Sequence, residues 1–326
     1  MRIREVSCVW LRCPLDAARQ HVSDFGRIRT FDAALVTITA EDGTRGYGEA
    51  KPAVGSAGDA SALVAVVRNE LRPILIGADA REIGRLWGRM HNGVRAPLAE
   101  RFGRAMPILG RRGAHAAAID GVDLALWHLA AKLRGSSVLE MLGGACRDRI
   151  PAYASGGWAA ADAIGAELGR YTDAGFRAVK MRIGAMDGSV ERSLARVRAA
   201  RTAIGPDVAL MVDAHGTLNV AEARRFVAAV ADCGLAFVEE PVLSEDRTGL
   251  AMIRAQSPVA VAAGESEAGC SDFAELIAAG AVDVLQPDMA IAGGLSEGLR
   301  IGALAYAHRL ALAPHCWGSA VSFQAA

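Results

Sequence analysis

The chain has 326 residues, of which 52% are hydrophobic and 22% charged, so it is long enough to bury a large core and to form two domains. Its 36 Lys and Arg residues balance its 36 Asp and Glu residues, which excludes a general attraction to nucleic acid or to an anionic membrane surface. No signal-peptide core and no apolar run of about 18 residues is found, and the six cysteines are scattered, so we expect a cytoplasmic protein with reduced thiols.

The N-terminal third predicts a small α+β domain. The stretch FDAALVTITAEDGTRGYGEA contains two strand-like runs around Glu41-Asp42-Gly43, which is a hairpin signal. The stretches SALVAVVRNELRPILIG and REIGRLWGRM have helical spacing, and GAHAAAIDGVDLALWHLAAKLRG reads as a long helix that leads into the rest of the chain. We therefore predict a capping domain over residues 1–112 and a second domain over residues 113–326.

From residue 150 onward, seven apolar runs alternate with helical segments and recur roughly every 23 to 31 residues, the length of one strand and one helix. The runs are IPAYASG, AVKMRIG, ALMVDAHG, AFVEEP, VAVAAGE, VDVLQPD and LALAPHC. Because they are apolar throughout, both faces of the sheet should be covered. The pattern predicts a parallel (β/α) barrel. An eighth strand and a C-terminal cap segment are expected to be absent from this sequence.

Polar side chains stand at the carboxyl ends of these predicted strands, where a barrel of this kind places its active site. They are Lys180, Arg182, Asp213, His215, Glu239, Glu240, Glu265, Asp288 and His315. Asp213, Glu239 and Glu265 end consecutive strands and should converge, and three unpaired carboxylates would repel one another. A hard cation removes that conflict, and oxygen ligands suit Mg²⁺. Any one of the three alone could equally be a helix cap or a surface ion pair.

In this order and spacing, the motifs AVKMRIG, VDAHG, VEEP, GES, QPDMAIAGG and PHCWG resemble those of the enolase superfamily, in particular its mandelate racemase subgroup. GYGEA and GVDLALWHLAAKLRG resemble the family's cap and pre-barrel helix, so the resemblance covers essentially the whole chain. It implies a modified TIM barrel, (β/α)₇β, under an N-terminal α+β capping domain. It also implies Mg²⁺ bound by Asp213, Glu239 and Glu265, with Glu240 beside them among the substrate-binding residues.

The resemblance further implies removal of a proton alpha to a carboxylate, giving an enediolate that the metal stabilises. His315 and Asp288 occupy the positions of the family's His-Asp dyad. His315 is therefore predicted to be the general base, with Asp288 fixing its tautomer. Considered as an isolated pair, they could equally be a buried structural histidine and the acid that holds it.

Lys180-Met181-Arg182 departs from the Lys-x-Lys sequence that many members carry at this strand. Arginine stays protonated, with a pKa above about 12, and is a poor proton acceptor, so racemisation with two bases is disfavoured. Lys180 and Arg182 are predicted to bind substrate oxygens and to neutralise charge during catalysis. The structural alternative pairs Arg182 with an acid such as Glu240.

His215 lies two residues beyond Asp213, so on an extended chain its side chain would point to the same side. In the subgroup's galactonate-type dehydratases, a histidine at this place protonates the departing β-hydroxyl. The resemblance thus makes His215 the predicted general acid. The alternative is that His215 caps the following helix or contacts substrate passively.

These predictions combine in a Mg²⁺-dependent dehydratase of an acid sugar, an aldonate or aldarate, that eliminates the 3-hydroxyl as water. The alternatives are an epimerase or racemase, a lactone cycloisomerase, and a binding protein without turnover. Arg19 and His21, in a predicted cap loop, are candidates for contacting the distal end of the substrate, although a solvated loop is the simpler interpretation. The resemblance also implies a homo-oligomer.

Overall fold

The computed structural model describes residues 1–17, 20–24, 26–52, 59–107 and 112–326. Its N-terminal strands are β1 (Ile3–Pro14), β2 (His21–Ser23), β3 (Gly26–Ile28), β4 (Thr30–Ala40) and β5 (Arg45–Ala50). Strands β1, β4 and β5 form an antiparallel sheet in that order, and β2 and β3 form a separate hairpin. Within these ranges, no helix combines the length and the apolar character that crossing a membrane would require.

The turn between β4 and β5 is the hairpin that the sequence predicts. Gly43 has a φ of 88°, a left-handed conformation that glycine adopts at little cost. The Asp42 carboxylate accepts a hydrogen bond from the Thr44 N–H at 2.9 Å, as short polar side chains commonly do in turns. The local turn chemistry therefore fixes the register of the two strands, in which Val36 lies opposite Gly48.

Helices cover one face of the antiparallel sheet. They are α1 (Ser61–Val66), α2 (Arg72–Leu75), α3 (Ile83–Asn92), α4 (Ala96–Phe102), α5 (Ala114–Leu133) and α6 (Val138–Met141), with a π-helical turn at Val67–Leu71 between α1 and α2. The long helix α5 shares a hydrophobic cluster with the sheet, in which Val122 and Leu126 join Val36 and Ile38. It also contacts the second half of the chain. The predicted division at residue 112 remains a prediction.

Glycines in β5 allow α5 to approach the sheet backbone closely. A Cβ built on Gly48 would meet the carbonyl oxygen of Gly121 and lie 2.6 Å from the Ala125 nitrogen. These are backbone atoms, which cannot rotate away as the end of a flexible side chain can. The Gly48→Ala variant is therefore expected to lower the free energy of unfolding by about 1–3 kcal/mol, the usual cost of overpacking a core.

Equilibrium urea denaturation measures this effect, and Gly84→Ala is the matched control. Gly84 lies in α3, where an added Cβ would meet open space, so alanine should be neutral or stabilise by up to about 1 kcal/mol. Equal denaturation midpoints for the two variants would contradict the close approach of α5 to β5.

The second half of the chain forms a seven-stranded, wholly parallel sheet in which neighbours in sequence are neighbours in space. Its strands are β6 (Ala154–Gly156), β7 (Ala178–Arg182), β8 (Ala209–Asp213), β9 (Leu235–Glu239), β10 (Ala260–Ala263), β11 (Val284–Leu285) and β12 (Ala311–Leu312). Each strand is followed by a helix: α7 (Ile164–Asp173), α8 (Val190–Ile204), α9 (Val220–Ala229), α10 (Arg247–Arg254), α11 (Cys270–Ala278), α12 (Gly294–His308) and α13 (Ala320–Ala325). The predicted modified TIM barrel with an N-terminal α+β cap is confirmed, with seven parallel strands in the described residues.

Strand alternation separates the barrel core from the site. Val212 and Val238 belong to the large cluster between sheet and helices. Met211 and Phe237, of opposite parity, lie in a small separate cluster on the other face of the sheet. Asp213 has the parity of Met211, so its carboxylate stands above this inner cluster. The apolar runs noted in the sequence are thus explained by burial on both faces.

Candidate active site

The strand ends bring the predicted polar residues to one edge of the parallel sheet. Pairing places Arg182 level with Asp213, and Asp213 level with Glu239, on three successive strands. Glu265 lies two residues beyond the end of β10, and Asp288 and His315 form an isolated parallel bridge just beyond β11 and β12. The buried members of this set are Lys180, Arg182, Asp213, Glu239, Glu240, Glu265, Asp288 and His315.

The cationic side chains of Lys180 and Arg182 lie among the carboxylates of β8 and β9, and Lys180 contacts two of these carboxylates. The Lys180 ammonium is 2.5 Å from Glu239 Oε2 and 3.2 Å from Asp213 Oδ2. The amide of Gln286 donates a second hydrogen bond to Glu239 Oε2 at 2.7 Å. Burial alone would raise the pKa of Glu239, but the charge and hydrogen bond of Lys180 hold it below its usual value. This carboxylate therefore stays ionised in a buried position.

Arg182 pairs with an acid, as the structural alternative for it expects, but the acid is Asp213 and not Glu240, the example given. Its guanidinium forms an ion pair with Asp213 Oδ2 and lies 5.3 Å from the ring centroid of Trp158. The reason is register, because Arg182 and Asp213 are directly opposed on adjacent strands, whereas Glu240 lies beyond the end of β9. Glu240 is buried, and that burial, together with the charges of Glu265 and Glu239, raises its pKa well above the usual value.

The carboxylates suit a hard divalent cation. Ligand atoms of Asp213, His215 and Glu265 lie within 4.8 Å of one another. Glu239 Oε1 and Glu265 Oε2 are buried oxygens that accept no hydrogen bond in the described part of the chain, although His315 Nε2 lies 3.3 Å from the second of them. Carboxylate oxygens left unpaired in this way fit Mg²⁺, which takes oxygen ligands. Glu239, a predicted ligand, is not one of these three residues, but the Lys180 ammonium contacts both Glu239 and Asp213. The exact ligand set stays a prediction.

The predicted His-Asp dyad is formed. His315 Nδ1 is 2.7 Å from Asp288 Oδ2, and His315 Nε2 is 3.3 Å from Glu265 Oε2. Burial would raise the pKa of Asp288, but the hydrogen bond with His315 outweighs it and holds the pKa below its usual value. An ionised Asp288 accepts the Nδ1 hydrogen, which leaves Nε2 as the free lone pair directed towards the carboxylates.

His215 reaches the site by a different route from the predicted one. The expectation of an extended chain is wrong, because β8 ends at Asp213 and His215 adopts a left-handed φ of 46°. Its N–H donates to Asp213 Oδ1 at 2.9 Å, and the next N–H, of Gly216, donates to the Glu240 carbonyl at 2.7 Å. Such conformations cost energy and are concentrated at functional sites. The turn brings His215 Nε2 to 3.7 Å from Asp213 and 3.9 Å from Glu265.

Two site residues from the cap were missed by the sequence reasoning. Asp24, in the turn after β2, places Oδ2 2.7 Å from His215 Nδ1, and no local pattern could reveal a contact between such distant positions. Lys51 directly follows the GYGEA motif, and its ammonium is buried without a hydrogen-bond partner in the described ranges. Burial lowers the pKa of Lys51 despite the nearby charges of Asp288 and Glu265. The sequence signal that could have identified Lys51 was its position directly after the GYGEA motif.

The two loop residues proposed as substrate contacts remain untested. Arg19 lies outside the described residues, as does the side chain of His21, although the His21 backbone belongs to β2. The neighbouring contact of Asp24 shows that this part of the cap does meet the barrel's strand ends.

A parallel barrel under an α+β cap, with carboxylates and two histidines at its strand ends, is typical of enzymes that use acid-base chemistry, and these carboxylates could hold a divalent cation. A family model for the mandelate racemase / muconate lactonizing enzyme N-terminal domain matches residues 7–143, and one described as enolase C-terminal domain-like matches residues 163–326. The chain belongs to the mandelate racemase and muconate lactonizing enzyme family of the enolase superfamily. The resemblance seen in its motifs is thereby confirmed.

Similar proteins include both dehydratases and isomerases. A D-galactarolactone cycloisomerase of Agrobacterium fabrum (strain C58) is 36% identical over 297 residues, 90% of this chain and 73% of that protein. A D-galactonate dehydratase of Verminephrobacter eiseniae (strain EF01-2) is 37% identical over 289 residues, 86% of this chain and 71% of that protein. The structure of a racemase from Streptomyces coelicolor A3(2) with bound magnesium has a TM-score of 0.83 at 31% identity, covering 97% of this chain and 84% of that one.

Proposed function

We propose that this enzyme dehydrates an acid sugar, an aldonate or aldarate, to a 2-keto-3-deoxy acid. The observation that carries the proposal is the placement of two imidazoles against one carboxylate. His315 Nε2 approaches Glu265 Oε2 at 3.3 Å, and His215 Nε2 approaches Glu265 Oε1 at 3.9 Å. Elimination of water needs one group to take a proton and another to give one, and two separate histidines supply both.

The substrate class follows from the charges of the site and from the relatives. Lys180 and Arg182 are buried cations that can bind the oxygens of a carboxylate or hydroxyl group. The pairing of both with Asp213 holds them at the strand ends. The similarity to a D-galactonate dehydratase supports a polyhydroxy acid as the substrate. The choice among aldonates and aldarates is left to experiment.

Asp213, Glu239 and Glu265 would hold the Mg²⁺ ion, as the unpaired oxygens of the two glutamates suggest. When bound, the ion would supply positive charge where negative charge develops on the substrate carboxylate during proton removal. The magnesium bound in the similar racemase structure supports the choice of ion.

The residues of the chain then divide the reaction between them. His315 Nε2 takes the proton from the α-carbon, while Asp288 keeps the Nδ1 hydrogen and so maintains the reactive tautomer. His215, protonated on both ring nitrogens, gives its Nε2 proton to the 3-hydroxyl as the carbon-oxygen bond breaks, and water departs. The resulting enol becomes a keto group by transfer of a proton to the third carbon. The net change is the loss of one water, with no oxidant or reductant.

Racemisation is less well supported, because it needs a second base opposite His315. The sequence places Arg182 on β7, and its ion pair with Asp213 keeps that guanidinium protonated. A lactone cycloisomerase is the second candidate, favoured by the similarity to D-galactarolactone cycloisomerase. It would use the same His315–Asp288 pair but release no water.

A screen of aldonates, aldarates and their lactones with Mg²⁺ tests the proposal. We expect at least one open-chain acid sugar to give a 2-keto-3-deoxy acid, detected as its semicarbazone and by a mass lower by one water. Turnover of a lactone with unchanged mass would instead establish the cycloisomerase. Incorporation of solvent deuterium at the α-carbon without either product would indicate epimerisation. Light scattering on the same preparation measures the predicted homo-oligomer.

A further inference from the structure

The cap hairpin contributes a carboxylate to the site. Asp24 lies in the turn between β2 and β3, and its Oδ2 is 2.7 Å from Nδ1 of His215, a residue 191 positions later in the chain. The side chains are largely covered, with 4% of His215 and 14% of Asp24 exposed. Burial would raise the pKa of Asp24, but the hydrogen bond and charge of His215 outweigh it and hold the pKa below its usual value. Asp24 thus places a carboxylate oxygen against the imidazole.

This contact has the same geometry as the dyad on the other side of the site. In each case Nδ1 lies 2.7 Å from an aspartate Oδ2, and Nε2 is directed towards Glu265. The two pairs differ in origin. Asp288 and His315 both belong to the barrel and are joined by a strand bridge, whereas Asp24 comes from the cap and His215 from the barrel.

The backbone of His215 is fixed by its own hydrogen bond to Asp213 and by the left-handed turn. These backbone contacts do not fix the orientation of the imidazole, which depends on rotation about its side-chain bonds. A carboxylate that accepts the Nδ1 hydrogen fixes the ring orientation, so that a proton on Nε2 faces the site and can be given up while the Nδ1 hydrogen stays with the carboxylate. Asp24 occupies the place where such a group acts.

We propose that Asp24 is a positioning residue for His215, so that the proton donor of the elimination is assembled only when the cap hairpin lies on the barrel. This inference rests on the proposed dehydration. Its consequence is a division of the two steps: removal of the α-proton depends on a pair within the barrel, and expulsion of the hydroxyl depends on a pair that spans cap and barrel.

The Asp24→Asn variant tests the division. An asparagine side chain can accept from or donate to Nδ1, so it no longer holds the imidazole in the single orientation that has the Nδ1 hydrogen towards residue 24. Dehydration is expected to slow by about 10²- to 10³-fold in kcat, within the range for a misplaced general acid, while exchange of the α-proton with solvent deuterium changes by less than about threefold. Asp24→Glu should recover part of the lost rate. Asp16→Asn, the same charge change at an exposed position of the cap, should leave both rates unaltered.

A double-mutant cycle strengthens the test. His215→Asn should reproduce the Asp24→Asn phenotype, and the double variant should be no slower than His215→Asn alone, because the two residues act as a unit. Additive losses in the double variant would overturn the positioning role. So would equal losses of exchange and dehydration in Asp24→Asn.

A measurement that does not need turnover separates this inference from the proposed function. In ¹⁵N-histidine-labelled protein, the two ring-nitrogen shifts of His215, assigned by their loss in His215→Asn, report which of the two nitrogens carry hydrogen. We expect Nδ1 to carry hydrogen throughout in the wild type, whether or not Nε2 is protonated, and to have lost it in part of the molecules in Asp24→Asn. Unchanged shifts would refute the role of Asp24 whatever the substrate. If the wild type turns over no acid sugar but the Nδ1 signal of His215 still differs between wild type and Asp24→Asn, the proposed dehydration alone is refuted.

Discussion

Replacing His315 with asparagine is expected to lower the rate of α-proton removal by about 10²- to 10⁴-fold, the usual contribution of a general base. His315 is placed for this step by Asp288 on one nitrogen and by the approach of the other to Glu265. Asparagine preserves much of the shape but has no basic nitrogen. The measurement is deuterium exchange at the α-carbon of the substrate identified in the screen, followed by NMR, together with keto-acid formation.

His308→Asn is the matched control, because His308 is an exposed residue at the end of α12 and its loss should leave both rates near the wild-type values. Retention of exchange in His315→Asn would place the base elsewhere, with Lys180 the next residue to replace. A protein that only binds acid sugars would keep its affinity in this variant and show no turnover in the wild type, so the same experiment separates an enzyme from a binding protein.

Glu265→Gln is expected to abolish both turnover and stabilisation by Mg²⁺. Glu265 is buried, has an oxygen without a hydrogen-bond partner in the described structure, and lies against both histidines. An amide has one oxygen and no charge, so it is a much poorer ligand for a hard cation. In the wild type, Mg²⁺ at a hundred times its Kd should raise the free energy of unfolding by about 2.7 kcal/mol. The variant should lose most of that increment.

Thermal denaturation with and without Mg²⁺, after treatment with a chelator, provides the readout without reference to activity. Glu275→Gln, at an exposed position on α11, should behave as the wild type does. If Glu265→Gln kept the full Mg²⁺ effect, the ion would bind elsewhere and the proposed ligand set would be wrong.

Much of the fold was accessible from the sequence because its determinants are local. The hairpin at Gly43 follows from turn chemistry, and the seven parallel strands follow from regularly spaced apolar runs. The gathering of polar residues was accessible for the same reason: parallel strands end at one edge, so Asp213 and Glu239 must be neighbours once their strands pair.

The remaining features depend on contacts that a strand pattern does not encode. His215 was assigned to an extended chain, whereas the turn after Asp213 sets its direction. Glu240 was the example given of an acid that could pair with Arg182, whereas the strand register places Asp213 opposite Arg182. The Asp24 contact joins two halves of the chain that fold from separate patterns, so only the three-dimensional packing could reveal it.

Helix α5 contacts both halves of the chain. One side packs into the core of the cap, where Leu126 and Leu129 are fully buried. On another side, the indole of Trp127 donates to the Ser296 hydroxyl at 3.0 Å, and that hydroxyl in turn donates to Asp123 at 2.6 Å. Removing one half would expose apolar surface of α5, and removing the other would leave the Asp123 carboxylate without the Ser296 hydroxyl. Each change would lower the free energy of unfolding. We therefore expect cap and barrel to unfold as a single cooperative unit, even though each carries a sheet of its own.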